Sequence, residues 1–228
     1  MFVACHLFLG LILGLAFARY FDDRRFIGLT ALGAILPDLI DKPIGHILLV
    51  DTLDSGRLFG HGLLFLVLIA VAGVYLYWRR ESFALLVVAA GVLSHQVLDA
   101  MWAMPVTWYF PFLGPYEPHE FTDYFGGAIL AEISSLSEWI FLIASVGIIL
   151  AAFRDYSPDI SRLTTTLIRI SIPLLGVLAL ASVYAWVAGS PGGILMVGAK
   201  SEDYLLLAAV ATIGVAGTIR YRDDLHTG

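Results

Sequence analysis

The chain has one cysteine, Cys5, among 228 residues, so it can form neither an intrachain disulfide nor a CxxC metal knuckle. Charge is also scarce, at 14% of residues, where a soluble domain carries about 25%. The formal net charge is −6 and no basic stripe is present, which excludes a nucleic-acid-binding face. No repeat of fixed period and no low-complexity tract interrupts the chain. What fills it is apolar: 59% of residues are hydrophobic and the mean hydropathy is +0.87. Several runs of about 18 to 22 apolar residues follow one another, each long enough to cross a hydrocarbon core about 30 Å thick. The fold class expected is all-α, a polytopic helix bundle in a lipid bilayer.

Seven helices are expected, over residues 2–18, 26–40, 58–78, 83–101, 131–153, 167–188 and 203–219. The second is short and holds Pro37-Asp38 near its end. Ala16-Phe17-Ala18 imitates a signal-peptidase site, but no basic segment precedes the apolar run, so retention of the first helix is expected. Basic residues sort by side. Arg19, Arg24, Arg25, Arg79, Arg80, Arg154, Arg162, Arg169, Arg220 and Arg222 fall in alternate loops, against Lys42, Arg57 and Lys200 on the other side. Cytoplasmic loops are the Lys/Arg-rich ones, which places the N-terminus outside and the C-terminus in the cytoplasm of a multi-pass protein of the cell's inner, cytoplasmic membrane. Residues 1–153 form a region dotted with polar groups, and 154–228 add a cytoplasmic loop and two plainer packing helices within the same membrane domain.

With that orientation the intramembrane ionisable residues share one depth. His6, Asp38, Asp41, His61, His95, Asp99, Glu132 and Glu138 all fall near the outer ends of the first five helices. An isolated charge at the bilayer centre costs about 2.5–3.5 kcal/mol on insertion scales and is tolerated where it meets partners or water, so these groups should converge. His95 and Asp99, four apart in "SHQVLD", lie on one helical face, as two ligands of one ion would. Mixed imidazole and carboxylate donors suit Zn²⁺ first, with Mn²⁺ or Fe as alternatives, rather than all-oxygen Ca²⁺. Each residue also has a bland reading. His95–Asp99 is equally a hydrogen bond locking two helices; Asp38 and Asp41 can end a helix; Glu132 can sit at the water boundary; and His46, His119 and His226 read as interfacial or solvated. "MWAMPVTWYFPF" reads as an interfacial aromatic belt, and Gly10 and Gly14 as close-packing positions.

These motifs resemble the YdjM-like group, described as LexA-binding, inner-membrane-associated metal-dependent hydrolases, over roughly residues 1–140. The family's Gly-His before an apolar helix resembles Cys5-His6; its LPD resembles "LPDLID", with Asp38; its THS resembles "FGHGLLF", with His61; its SHxxxD is matched by "SHQVLD", with His95 and Asp99. Its later acidic residue resembles "SEWIF", with Glu138. This chain departs where the family commonly has LPDID, spacing Asp41 one residue further, and where an earlier family histidine falls on Gly56, although Arg57 is kept.

The function expected is metal-assisted hydrolysis at the extracytoplasmic membrane–water boundary. His6, Asp38, His61, His95, Asp99 and Glu138 would hold one or two divalent ions, an unligated Glu138 or Asp41 would act as general base, and Arg57 would hold a phosphoester or lipid headgroup. Two other classes stay open: an ion-coupled transporter or proton relay, which needs a polar path continuing inward, and a non-catalytic regulatory or structural membrane protein that keeps degenerate motifs.

Overall fold

A computed structural model describes residues 3–152, 158–189 and 193–226. Helix α1 spans Val3–Phe21 and α2 spans Arg25–Pro43, which continues into a wide π-type turn, Ile44–Leu48. After a loop come α3, Leu63–Arg80, and α4, Ala84–Leu98. A second loop holds a 3-10 turn at Met101–Ala103 and the short α5, Pro105–Trp108. Then follow α6, Tyr124–Ser134; α7, Leu136–Ala152; α8, Pro158–Val187; and α9, Ser201–His226. No strand occurs among the described residues.

Four helices have the length and hydropathy to cross a membrane: Val3–Phe21, Leu63–Arg80, Ile160–Val187 and Ser201–Tyr221. The bent pair α6–α7, with 77° between its arms, makes a fifth when taken as one span. Two expected spans are thus of a different kind. At 1.5 Å per residue α4 extends only about 22 Å, and α2 carries Arg25, Asp38, Asp41 and Lys42 on its 19 residues. α2 packs on α1 and on α4, and α4 on α3 as well, while Leu32 and Leu39 of α2 and Leu93 and Val97 of α4 stay exposed. The expected division after residue 153, with Arg154 beyond it, lies outside the described residues, as do the side chains of Arg222 and His226.

The apolar core runs through α1, α7, α8 and α9, where Phe8, Leu11, Phe141, Ile148, Leu175 and Leu178 are buried with Tyr204 and Leu207. The polar groups collect beside it, where α1, α2 and α4 meet. Small residues bring those helices together: a Cβ on Gly10 would lie 2.6 Å from the Ala34 Cβ, and one on Gly91 would run into the Thr30 carbonyl. Without such side chains the backbones approach closely. Gly91 and His95 are four apart on one face of α4, so the contact that seats Gly91 on α2 carries His95 onto α2 one turn later.

The break between α6 and α7 is filled from elsewhere in the chain. Ser135 is extended there; the N–H of Leu136 donates to the Ile194 carbonyl at 2.9 Å and that of Ser137 to Leu195 at 3.0 Å. The Val197 N–H donates in turn to the Ser135 hydroxyl, at 3.0 Å.

Candidate metal centre and its cavity

His61 precedes the first turn of α3, and its ring faces α2. Its Nδ1 lies 2.7 Å from Asp41 Oδ2. Asp41 also accepts from the backbone N–H groups of Leu58, Gly60 and His61, at 2.8, 2.9 and 3.0 Å, so it ties the loop entering α3 to the end of α2. His95 Nδ1 lies 2.7 Å from the Ala34 carbonyl. A carbonyl only accepts, so Nδ1 is the protonated nitrogen of neutral His95. Asp41, a carboxylate that already accepts three backbone N–H groups, takes the Nδ1 proton of His61 as well. The two Nε2 atoms face one another at 3.0 Å, and that of neutral His95 bears a lone pair.

Carboxylates and a third imidazole close around that pair. His61 Nε2 is 3.6 Å from Asp38 Oδ1 and 3.6 Å from Asp99 Oδ2; His95 Nε2 is 3.8 Å from Asp38 Oδ1 and 4.0 Å from Asp99 Oδ2. The His6 ring stacks on His95 with centroids 3.8 Å apart, its Nε2 lies 3.2 Å from Asp99 Oδ1, and its buried Nδ1 has no hydrogen-bond partner among the described residues. His6, Asp38 and His95 offer donor atoms all within 4.8 Å of one another, as do His61, His95 and Asp99, so the two trios share His95. His61 and His95 are fully buried. Carboxylates gathered this closely need cations among them; Lys42 pairs with Asp38 and Arg57 with Asp99, and the donor set of imidazole and carboxylate also fits a divalent transition metal.

Five of the six residues expected as ligands therefore meet at one point. Glu138, the sixth, is turned to the start of α1: its Oε2 accepts the N–H of Ala4 at 2.9 Å and of Cys5 at 3.3 Å. It satisfies amides that a helix N-terminus leaves open, on the two residues immediately before His6. Asp41, expected as a ligand or base, stands behind His61 with both oxygens engaged.

A cavity of about 220 Å³ opens beside the cluster and is bounded by Asp38, Lys42, Arg57, Asp99, Tyr124 and Glu132. Lys42 Nζ is 2.7 Å from Asp38 Oδ2, and Arg57 donates from Nε to Asp99 Oδ2 at 2.9 Å. Arg57 thus touches both a cluster carboxylate and the open space, as a phosphate-holding residue should. Gln96 was not singled out by its sequence; its amide donates to the Gly62 carbonyl at 3.1 Å and accepts from Trp108 Nε1 at 3.1 Å, joining α4 to both loops.

The second pair that sequence reading passed over is His46 and Asp54. His46 Nδ1 lies 2.7 Å from Asp54 Oδ1, and the Phe121 N–H donates to Asp54 Oδ2 at 2.8 Å. The imidazole contact first, and the amide second, hold the Asp54 carboxyl below the usual carboxylate range. His46 also stacks on Tyr124, centroids 3.4 Å apart. The pair clasps the segment before α6 onto the loop carrying Arg57. No spacing of 3, 4 or 2 links these residues, so neither helical nor strand periodicity could have signalled them.

A family model described as YdjM inner membrane protein matches residues 1–190. A search of curated proteins gave no match, and a search of solved structures gave none.

Proposed function

The chain belongs to the YdjM inner membrane protein family, and we propose that it is a metal-dependent hydrolase acting on a phosphoester at the outer face of the inner membrane, oriented with its N-terminus outside. The observation that carries this reading is the 3.0 Å approach of two buried imidazole Nε2 atoms, both Nδ1 groups being committed elsewhere. His6, Asp38, His61, His95 and Asp99 would hold the cation, Zn²⁺ before Mn²⁺ or Fe. When bound, such a cation supplies Lewis acidity, lowering the pKa of water at the site and drawing charge from a phosphoryl oxygen.

The remaining residues act by position. Asp41 keeps the His61 proton on Nδ1 and the Nε2 lone pair inward, the role that outer carboxylates play for metal-binding histidines. Ala34 does the same for His95. Arg57, fixed on Asp99, presents its second edge to the cavity for a phosphate oxygen, and Lys42 adds a second cationic wall. Glu138 holds the first turn of α1 so that His6 reaches the cluster.

The test is elemental analysis of purified protein beside a turnover screen with water-soluble and lipid phosphoesters. Bound Zn²⁺, Mn²⁺ or Fe near stoichiometry, lost in the His95→Ala, Asp99→Ala double variant, supports the centre; equal metal in both would sink it. Hydrolysis of a phosphoester by the loaded protein and not by that variant supports the activity.

A further inference from the structure

The geometry points to a lipid phosphoester as the substrate, its hydrocarbon chain lying in an apolar groove between the start of α1 and the α6–α7 bend. This rests on the hydrolase reading above for the chemistry at the headgroup, and on separate features for the chain. The groove, about 260 Å³, is walled by Val3, Leu7, Ile133, Trp139 and Leu142, and it is almost wholly apolar. Glu132 belongs both to this groove and to the cavity beside the metal cluster. The two spaces therefore adjoin, one side lined by Arg57 and Lys42 and the other by hydrocarbon.

Charge and depth argue for the same occupant. The headgroup side presents two cations beside Asp38, Asp99 and Glu132, a balance that turns positive once a divalent ion joins it, which suits an anionic phosphate. The groove lies along the outside of α7, where Trp139 and Leu142 are both exposed, so a chain could enter sideways from the bilayer without crossing water. The lining of the groove also includes Glu138, whose Oε1 is buried and without a hydrogen-bond partner among the described residues. That oxygen is open to a hydroxyl or amide of a lipid lying in the groove. A soluble phosphoester would use the cation-lined side and leave the groove empty. Burial of each methylene in it strengthens binding by about fourfold, so the groove would dominate selection among phosphoesters.

Photolabelling tests this without relying on turnover. The metal-loaded full chain is placed in nanodiscs containing phosphatidic acid with a diazirine in its acyl chain, and labelled peptides are mapped by mass spectrometry; a diacylglycerol with the same chain is the control. Labelling of Val3, Leu7, Ile133 or Leu142 should exceed labelling of Leu68 and Val71 on the exposed face of α3, and the excess should vanish with the diacylglycerol. Leu142→Trp should cut groove labelling about fifteenfold, the equivalent of losing two buried methylenes, at unchanged metal content, and Ile133→Trp provides the same plug from α6 if the first variant does not fold. Groove labelling equal to that of α3, or equal for the two lipids, overturns the proposal. Groove labelling with no phosphoester turned over would uphold the lipid site and remove the hydrolase; turnover of glycerol phosphate with an unlabelled groove would do the reverse.

Discussion

His61 and His95 meet Nε2 to Nε2 at 3.0 Å, each with its other ring nitrogen held by an acceptor, Asp41 for the one and the Ala34 carbonyl for the other. With both Nδ1–H groups so committed, the neutral form of each ring turns an Nε2 lone pair towards the other. On the metal-centre reading a divalent cation takes the place between them. Replacing either histidine with alanine should therefore empty the centre, and isothermal titration of metal-stripped protein with Zn²⁺ should show the tight phase disappear. Retention of that phase in both single variants would mean that the facing rings are not ligands.

Asp41→Asn should weaken Zn²⁺ binding by about 10- to 100-fold, the usual effect of losing the partner that orients a metal-binding histidine. It should also destabilise the loop entering α3, because Leu58, Gly60 and His61 all donate backbone N–H groups to the carboxylate. Competition titration with a chromogenic chelator reads the first effect. An unchanged affinity would assign Asp41 to the loop alone.

Glu138→Gln and Glu138→Ala should part company. Glutamine keeps a carbonyl oxygen for the Ala4 and Cys5 amides, whereas alanine leaves both open, at a cost of about 1–3 kcal/mol for a buried unsatisfied group. Thermal unfolding in detergent should fall for the alanine variant and barely for glutamine, with metal content near wild type in glutamine. Loss of metal in Glu138→Gln would instead make Glu138 a direct ligand.

Arg57→Lys should lower the affinity of the loaded protein for inorganic phosphate by roughly 10- to 100-fold, since a charged hydrogen bond contributes about 1.5–3 kcal/mol and lysine lacks the planar fork. Phosphate titration followed by ³¹P NMR measures it. If phosphate binds the variant as well as wild type, Arg57 serves Asp99 and not the ligand.

The clasp between His46 and Asp54 should be acid-labile. Asp54 has its pKa lowered in the folded chain, chiefly by the His46 contact, so its contribution is complete above the unfolded value of about 3.9 and is lost as pH falls through the lower folded value. Protection of the Phe121 amide from hydrogen exchange should fall across that acid range in wild type and be low at every pH in Asp54→Ala. A pH profile shared by both proteins would remove Asp54 as the cause.

Much of this cluster could be read from one line of text because His6, Asp38 and His95 sit on helices and Asp99 caps one, with His61 two residues before another. The i, i+4 spacing of His95 and Asp99 and the shared depth of five helix ends, with short motifs around Asp38 and His61, were enough to name five residues that the fold brings together. What sequence could not supply was direction. Asp41 and Asp38 are three apart on α2, yet one faces the loop amides and the other the cluster, a difference set by how the segment 55–61 turns back over α2. Glu138 has the right depth but meets the backbone of α1 before it meets the imidazoles. His46 and Asp54 owe their pairing to a loop closure without period, and the 77° bend that divides α6 from α7 lies inside what reads as one apolar run. Hydropathy registers composition and not the angle at Ser135.

That bend also sets an order of assembly. The amides of Leu136 and Ser137 are satisfied by the carbonyls of Ile194 and Leu195, more than fifty residues later in the chain, and in a bilayer an unsatisfied amide costs several kcal/mol. While a nascent chain carries only its first seven helices, the wall bearing Glu132 and Glu138 has no settled shape. The segment joining the two plain helices at the C-terminus adds no residue to the histidine cluster, yet its arrival closes the wall, so a chain halted before residue 194 should insert in the membrane with its histidines in place and the α6–α7 wall unfinished.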